Sequence, residues 1–201
     1  MHTLRLPGGL VACVACLLLD AAAGAQTADS AAAIRIDNFA RVSAAYYRGA
    51  QPAGDDYAAL ASLGVKTVIN LIGDGDLDPA EQRAVEAHGM RYVHLPMTTR
   101  AAPTDQQLQL FLSIVNSAEQ QPVYVHCVGG RHRTGVMTAV YRMTNDGLTG
   151  PQAFAEMKRF KYGPDFLHPE FKRFVYAFRA EPAGPAAAPG GLIATTTVAQ
   201  H

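Results

Sequence analysis

Apolar and polar positions in the middle of the chain follow two alternating periods. Apolar runs at Val65–Leu71, Tyr92–Pro96 and Val123–His126 are rich in β-branched and aromatic residues, which indicates buried strands. Between these runs, apolar residues recur every three or four positions, as on one face of a helix. Strands that alternate with helices predict an α/β fold. We expect a single domain with a central, mostly parallel sheet of four to five strands flanked by helices.

Capping signals mark where the helices begin. Asp78-Pro79-Ala80-Glu81 combines an N-cap candidate, a proline at the first helical position and the glutamate of a capping box. This helix is expected to end at His88, with Gly89 in a left-handed conformation. Thr104-Asp105-Gln106-Gln107 is a second capping box. Three further helices are predicted at Thr134–Met143, Thr149–Phe160 and His168–Phe178.

Both ends of the chain differ in composition from this alternating middle. Residues 1–25 have a short basic start, an apolar run and the small residues Ala23-Gly24-Ala25, as in a cleaved secretory signal peptide. Residues 26–35 are expected to form a linker, and residues 180–201, which are rich in alanine, proline and glycine, a disordered tail. The folded domain is therefore predicted at residues 36–179, in a secreted, periplasmic protein.

The three cysteines bear on both export and chemistry. Leu10-Val11-Ala12-Cys13 resembles a lipoprotein cleavage box, but the apolar run continues beyond Cys13, so lipidation of Cys13 stays open. The apolar run is too short to span a bilayer, so no stable membrane insertion is expected. Cleavage after Ala25 removes Cys13 and Cys16 and leaves Cys127 alone. The mature domain therefore needs no internal disulfide.

Charge and ligand spacing exclude several classes of partner. The chain has 17 basic and 17 acidic residues, so no global field attracts it to nucleic acid. No cluster of histidine, cysteine and carboxylate residues has metal-ligand spacing, and neither a metal nor an organic cofactor is expected. No heptad pattern or large apolar stripe demands a partner subunit, so we expect a monomer.

The strongest chemical signal is the run HCVGGRHRTG from His126 to Gly135. A strand leads into a cysteine, two glycines and three basic residues follow, and Thr134-Gly135 opens an apolar helix. A strand, a glycine-bearing loop and a helix N-terminus together form a nest of backbone N–H groups that suits a tetrahedral oxyanion. Cys127, at the base of this nest, is therefore predicted to be a nucleophile that attacks phosphorus.

The residue types in the loop suit this chemistry. The helix N-terminus, the arginines and a protonated His132 would lower the pKa of Cys127 from the ~8.5 of a free thiol. Arg133 has the planar fork that binds two phosphate oxygens at once. Thr134 can hydrogen-bond the sulfur and help it leave. The predicted phosphate site comprises Val128, Gly129, Gly130, Arg131, His132 and Arg133.

This run resembles the signature of the cysteine-dependent protein tyrosine phosphatases, His-Cys, five residues and Arg-Thr/Ser. Its five intervening residues are similar to those of atypical dual-specificity phosphatases of the plant and fungal type and their bacterial periplasmic relatives. The upstream segments Tyr46–Pro52, Gly64–Leu71 and Tyr92–Met97 lie in the order that this family shows. The resemblance implies a protein tyrosine phosphatase-like fold and catalysis through a phospho-cysteine intermediate.

Two other interpretations of Cys127 explain less of the loop. A small buried hydrophobic residue accounts for neither the glycines nor the three basic residues. A sulfur-transfer domain of the rhodanese type also ends a strand in a cysteine loop, but those loops usually lack the arginine followed by Thr-Gly. His126 is expected to hold loop backbone, and Arg48 to fasten the sheet edge rather than contact substrate.

A general acid is the least determined part of the predicted mechanism. In the resembling families an aspartate between the strand that ends here at Pro96-Met97 and the following helix protonates the leaving group. Asp105 is the only carboxylate in that stretch, although an acidic residue in a first helical turn is also stabilising without catalysis. Asp74, Asp76 and Asp78, in the loop after the Val65–Leu71 strand, are the alternatives. A phosphoanhydride substrate would need no acid.

The expected function is hydrolysis of phosphate monoesters on proteins, with phosphotyrosine as substrate and phosphoserine and phosphothreonine as further candidates. An alternative is an inositol polyphosphate or pyrophosphate phosphatase, because Arg131 and His132 would suit a dense anion. A second alternative is a phosphate-recognition module without turnover. The partner is therefore a phosphorylated protein or a small phosphorylated molecule.

Overall fold

The computed structural model describes residues 34–180. The predicted signal peptide, Cys13 and all but the first residue of the predicted tail lie outside the described residues. The strands are β1 (Ala40–Ser43), β2 (Tyr46–Gly49), β3 (Thr67–Asn70), β4 (Arg91–His94) and β5 (Val123–His126). The helices are α1 (Asp56–Ser62), α2 (Pro79–Ala87), α3 (Asp105–Val115), α4 (Arg133–Asn145), α5 (Gly150–Arg159) and α6 (Pro169–Ala177), with 3₁₀ turns at Asp74–Asp76 and Asp165–Leu167.

The five strands form one sheet in the order β1-β2-β5-β3-β4. Only β1 is antiparallel to its neighbour; the β2–β5, β5–β3 and β3–β4 pairs are parallel. The predicted α/β architecture with a mostly parallel sheet is therefore confirmed. Gly49, His126, Asn70 and His94 pair across the carboxyl ends of the parallel strands. The segment that follows His126 thus starts at the centre of this edge, where α/β sheets bind ligands.

Both faces of the sheet are covered, which the alternation along β5 shows directly. Val123 and Val125 pack into one cluster with Met137 of α4. Tyr124 points to the other face and packs with Val85 of α2. All three β5 residues are fully buried. Since apolar residues on both faces of a strand are typical of parallel sheets, the apolar runs in the sequence match the fold.

The predicted capping residues act at two helix starts, and the helix predicted from Thr134 begins one residue earlier, at Arg133. The Asp78 side chain accepts from the Ala80 N–H, and Thr104 and Gln107 form a reciprocal capping box. Gly89 has φ +74°, as expected after the end of α2. Glu81 differs, because its carboxylate is buried under the sheet edge and accepts hydrogen bonds from Gln51 and Asn70. No helix in the described part of the chain is long and apolar enough to cross a membrane.

Candidate active site

The loop of residues 127–132 connects the central strand β5 to the buried helix α4. Cys127 directly follows the strand and is only 3% exposed, so it lies at the bottom of the loop. Arg133 is the first residue of α4, and Thr134 and Gly135 follow it, both buried. The structure thus places the predicted nucleophile and the predicted phosphate ligand at the two ends of one loop, at the helix N-terminus that favours anions.

Three successive carbonyl groups of the loop are bound from outside. Val128 O accepts from the Gln51 backbone N–H at 3.2 Å, and Gly129 O accepts from Asn38 Nδ2 at 2.8 Å. Gly130 O accepts from Nη2 of Arg48. In a trans peptide the N–H points opposite to the C=O, so the following three N–H groups turn towards the interior of the loop. The Arg131 N–H indeed acts on Cys127, because it lowers the pKa of the thiol. The loop is therefore a cradle of amide donors around the sulfur.

The environment of Cys127 favours its thiolate. Burial acts to raise the pKa of the thiol, but the adjacent hydroxyl and N–H of Thr134, together with the charge of Arg133 and the Arg131 N–H, lower it by more. The resulting pKa of Cys127 is below that of a free thiol. Because the thiolate is the nucleophilic form, Cys127 is activated without an adjacent general base.

The guanidinium group of Arg133 is hydrogen-bonded through one nitrogen, while another nitrogen has no acceptor among the described residues. Its Nη1 donates to Met97 O at 3.3 Å and more weakly to Leu71 O at 3.5 Å, two carbonyls at the strand-end edge of the sheet. Its Nε is buried and has no hydrogen-bond partner among the described residues. A buried donor without a partner is costly unless a ligand satisfies it. A phosphate oxygen is the acceptor for which this fork is shaped.

A cleft of about 320 Å³ opens beside Arg133. One wall belongs to the segment after β3 and the other to the segment after β4. Its lining residues are Gly73, Gly75, Asp76, Met97, Thr98, Thr99, Arg100 and Arg133. The cleft therefore combines the phosphate-binding arginine with hydroxyl groups, a second arginine and a carboxylate.

The candidate general acids occupy different places, and the side chain of Asp74 lies outside the described part of the structure. Asp105 is exposed as the first residue of α3 and is not among the described residues that line the cleft. Asp78 caps α2. Asp76 is exposed and lines the cleft together with Arg133. A catalytic role of Asp105 stays a prediction.

Behind the loop, His126 belongs to a buried polar network rather than holding loop backbone. Its Nε2 lies 2.7 Å from Oε1 of Glu81, and both side chains are fully buried. Oε2 of Glu81 accepts from Gln51 Nε2 at 2.8 Å and from Asn70 Nδ2 at 2.9 Å. This contact corrects the expectation for His126. The Glu81 carboxylate thus links α2 to three other segments: Gln51 after β2, Asn70 in β3, and His126, the residue before the nucleophile.

Arg48 extends from the sheet edge and is fully buried. It supports both this edge and the loop. Besides its bond to Gly130 O, its guanidinium lies 4.0 Å from the centre of the Phe160 ring. Arg48 therefore holds the cradle from behind, in agreement with the prediction that it is not a substrate ligand.

The other basic residues of the loop face its rim. Arg131 is about half exposed and lies 3.6 Å from Asp37, which also pairs with Lys161. His132 Nε2 lies 2.8 Å from Tyr162 O, and burial lowers the pKa of His132. A protonated His132 is therefore not a cause of the low pKa of Cys127. The backbone of both residues still belongs to the predicted phosphate site.

Sequence reasoning missed three supports of the cradle: Asn38, the backbone of Gln51, and Glu81. Gln51 lies in the upstream segment Tyr46–Pro52, so its position within the family pattern was a signal. Asn38 has φ +56°, a conformation that asparagine tolerates, but its bond to Gly129 spans 91 positions. No local pattern reveals such a contact.

Gly130→Ala is expected to damage the cradle. Gly130 has φ +63°, and a Cβ there would lie 2.6 Å from Ala50 N and closer still to the Gly49 carbonyl. The loop would have to move away from Arg48, and misplaced amide donors should lower kcat about 10²–10³-fold. Steady-state kinetics measures this loss. Gly129→Ala is the matched control, because its Cβ meets only Arg131 side-chain atoms, from 3.4 Å. Equal kinetics for the two variants would contradict the argument.

Among the described residues, no group of three or more histidine, cysteine or carboxylate side chains could hold a metal ion.

Comparison with known proteins agrees with this geometry. The chain is 31% identical over 150 residues to the dual specificity protein phosphatase TpbA of Pseudomonas aeruginosa, and 32% identical over 128 residues to TpbA of a second strain. These matches cover 73% and 64% of this chain, and the chain spans 66% and 56% of the two relatives.

Solved structures share the fold. A cysteine-to-serine variant of P. aeruginosa TpbA in complex with pTyr superposes with a TM-score of 0.60 at 26% identity, over 70% of this chain and 83% of that chain. The catalytic core of the PP-IP phosphatase SIW14 from S. cerevisiae has a TM-score of 0.63 at 22% identity, over 73% of this chain and 88% of that chain. The latter likeness shows the fold alone.

The family relationship rests on a match over more than half of the chain. Residues 28–166 match the family model described as "DSP-PTPase phosphatase fused to NAD+ Kinase". The signature loop from His126 to Gly135 lies inside the matched range. The chain is therefore a member of this family of dual-specificity and tyrosine phosphatase domains.

Proposed function

We propose that the domain at residues 36–179 is a cysteine-dependent phosphatase that hydrolyses phosphate monoesters on proteins, with phosphotyrosine as the preferred substrate. The observation that carries this proposal is the pairing of a thiol of lowered pKa, Cys127, with the buried and unsatisfied Nε of Arg133 across an amide cradle. Support comes from the TpbA relatives, one of which forms a complex with pTyr as a cysteine-to-serine variant.

The reaction proceeds in two displacements. The thiolate of Cys127 attacks phosphorus, the bond to the leaving oxygen breaks, and a phospho-cysteine forms. The fork of Arg133 and the N–H groups of residues 128–133 bind the equatorial oxygens and stabilise the charge that they carry in the transition state. Water then attacks the phospho-cysteine, and the Thr134 hydroxyl stabilises the departing thiolate.

A second candidate function is hydrolysis of an inositol polyphosphate or pyrophosphate. The observation in its favour is the rim of the loop, where Arg131 and Lys161 both pair with the exposed Asp37. A densely charged substrate could compete with Asp37 for these two cations. The phosphotyrosine assignment is preferred because the more similar relatives are named protein phosphatases.

One substrate panel tests these assignments. The purified protein is incubated with a phosphotyrosine peptide, a phosphoserine peptide and an inositol pyrophosphate, and phosphate release is measured. We expect the largest kcat/KM for the phosphotyrosine peptide, and phosphate on Cys127 in acid-quenched samples by mass spectrometry. A larger value for the inositol pyrophosphate would favour the second function. Binding of all three without release would instead identify a recognition module.

We also propose that the protein acts in the periplasm as a monomer. The signal-like pattern of residues 1–25 supports export. Fractionation of cells that express the full chain, with mass spectrometry of the mature N-terminus, is expected to find the protein in the periplasm beginning at Gln26. A cytoplasmic protein with an intact N-terminus would contradict export, and size-exclusion chromatography reports the oligomeric state.

A further inference from the structure

The walls of the cleft beside Arg133 come from the two segments that hold this arginine. Met97, whose carbonyl accepts from Arg133, lines the cleft itself. Leu71, the weaker acceptor, lies just before the opposite wall at residues 73–76. A phosphoryl group bound to the Arg133 fork is therefore flanked by both segments, and its leaving group departs on the outer side, away from Cys127.

Asp76 is the only carboxylate among the described side chains that line this cleft. It shares its wall with Gly73 and Gly75, which have no side chains, and the opposite wall presents Thr98, Thr99 and Arg100. The carboxylate of Asp76 is exposed and makes no hydrogen bond or ion pair with the described residues. It is therefore free to exchange a proton with a substrate in the cleft.

Asp105, the carboxylate that sequence reasoning favoured, lies in a different environment. It is the first residue of α3, where the helix N-terminus stabilises a negative charge. It does not line the cleft. Such a residue suits a structural role in the first helical turn better than proton donation.

We propose that Asp76 is the general acid of the first displacement and the general base of the second. This role rests on the proposed phosphatase function. As Sγ of Cys127 attacks phosphorus and the P–O ester bond breaks, the leaving oxygen takes the proton of the Asp76 carboxyl group. The Asp76 carboxylate then takes a proton from water, whose oxygen attacks phosphorus; the P–S bond breaks, and phosphate and the Cys127 thiolate are released.

The cradle itself provides the reason why Asp76 can carry a proton at that moment. A phosphoryl dianion bound to the loop disfavours a second negative charge beside it, so substrate binding favours the neutral acid. The carboxylate form returns when the leaving group has taken the proton. The same group is then ready to accept a proton from water.

Single-turnover kinetics with two aryl phosphates test this role. Phenyl phosphate has a basic leaving group that needs a proton, whereas 2,4-dinitrophenyl phosphate does not. Asp76→Asn is expected to slow phenol release from phenyl phosphate about 10²–10⁴-fold and to leave dinitrophenol release within about threefold of wild type. Asp76→Glu should recover part of the phenyl phosphate rate. Asp55→Asn, at an exposed position before α1, is the matched control and should change neither rate.

The possible outcomes separate the two proposals. Equal losses on both substrates, or none on phenyl phosphate, would overturn the role of Asp76. A leaving-group-dependent loss in Asp105→Asn, with Asp76→Asn unaffected, would assign the acid to Asp105. If the wild-type protein releases neither phenol from phenyl phosphate nor dinitrophenol from 2,4-dinitrophenyl phosphate, the phosphatase function is overturned and, with it, the role of Asp76. Vanadate binding by Asp76→Asn, expected to match wild type, verifies that the cradle is intact.

Discussion

Cys127→Ser is expected to abolish turnover while leaving substrate binding intact. A serine hydroxyl at this position would not ionise near neutral pH, although the same amides and the same Arg133 surround it. Loss of a nucleophile that acts together with the surrounding groups lowers kcat about 10⁴–10⁶-fold. The cradle, by contrast, is built from backbone N–H groups and a guanidinium that the substitution does not touch. Phosphate release assays measure the first effect, and calorimetric titration with a phosphotyrosine peptide the second.

Arg133→Ala provides the comparison for this variant. It keeps the Cys127 thiol but removes the fork and one of the charges that favour the thiolate. We expect both binding and turnover to be lost, so the two variants separate nucleophile from phosphate ligand. Turnover that survives in Cys127→Ser would exclude a covalent mechanism through this residue. Weakened binding in Cys127→Ser, equal to that in Arg133→Ala, would show that the cradle depends on the sulfur.

The sheet and its loop were predictable because their signals are local. Val123 to His126 are apolar or aromatic on both faces, and such a short run is typical of a strand buried in a parallel sheet. The glycines, basic residues and Thr134 follow one another in sequence, so the cradle could be recognised before any distance was known. The capping residues Asp78 and Thr104 fixed two helix starts for the same reason, since a cap acts over three residues.

The contacts that hold the site could not be predicted from such signals. The sequence pattern predicts that Glu81 completes a capping box. The packing of α2 under the sheet instead brings it to His126. His132 was expected to be a cation, but burial lowers the pKa of its imidazole, although the hydrogen bond with Tyr162 O acts to raise it. The position of Asp105 after β4 favoured it as the acid, but the shape of the cleft brings Asp76, and not Asp105, beside Arg133. Tertiary packing decides each of these cases.

The buried Glu81 carboxylate is expected to be the most sensitive position for stability outside the apolar core. Three side chains, Gln51, Asn70 and His126, direct polar atoms at it, and both Asn70 and His126 are fully buried. Glu81→Ala would leave these groups without a partner, which costs about 1–3 kcal/mol in the free energy of unfolding for each buried group. Because His126 directly precedes Cys127, kcat should fall as well. Chemical denaturation and steady-state kinetics measure the two effects.

Two further variants make this expectation specific to the network. Glu81→Gln keeps the volume and an acceptor for Asn70, so it should retain more stability than Glu81→Ala, and the difference reports what the retained acceptor and packing contribute. Glu86→Ala, on the exposed face of the same helix, removes only a contact with Gln82 and should stay within about 0.5 kcal/mol of wild type. If Glu81→Ala were no less stable than Glu86→Ala, the carboxylate would not be holding β3 and β5 to α2. The position of Cys127 would then have to depend on the loop contacts of Asn38, Arg48 and the Gln51 backbone N–H.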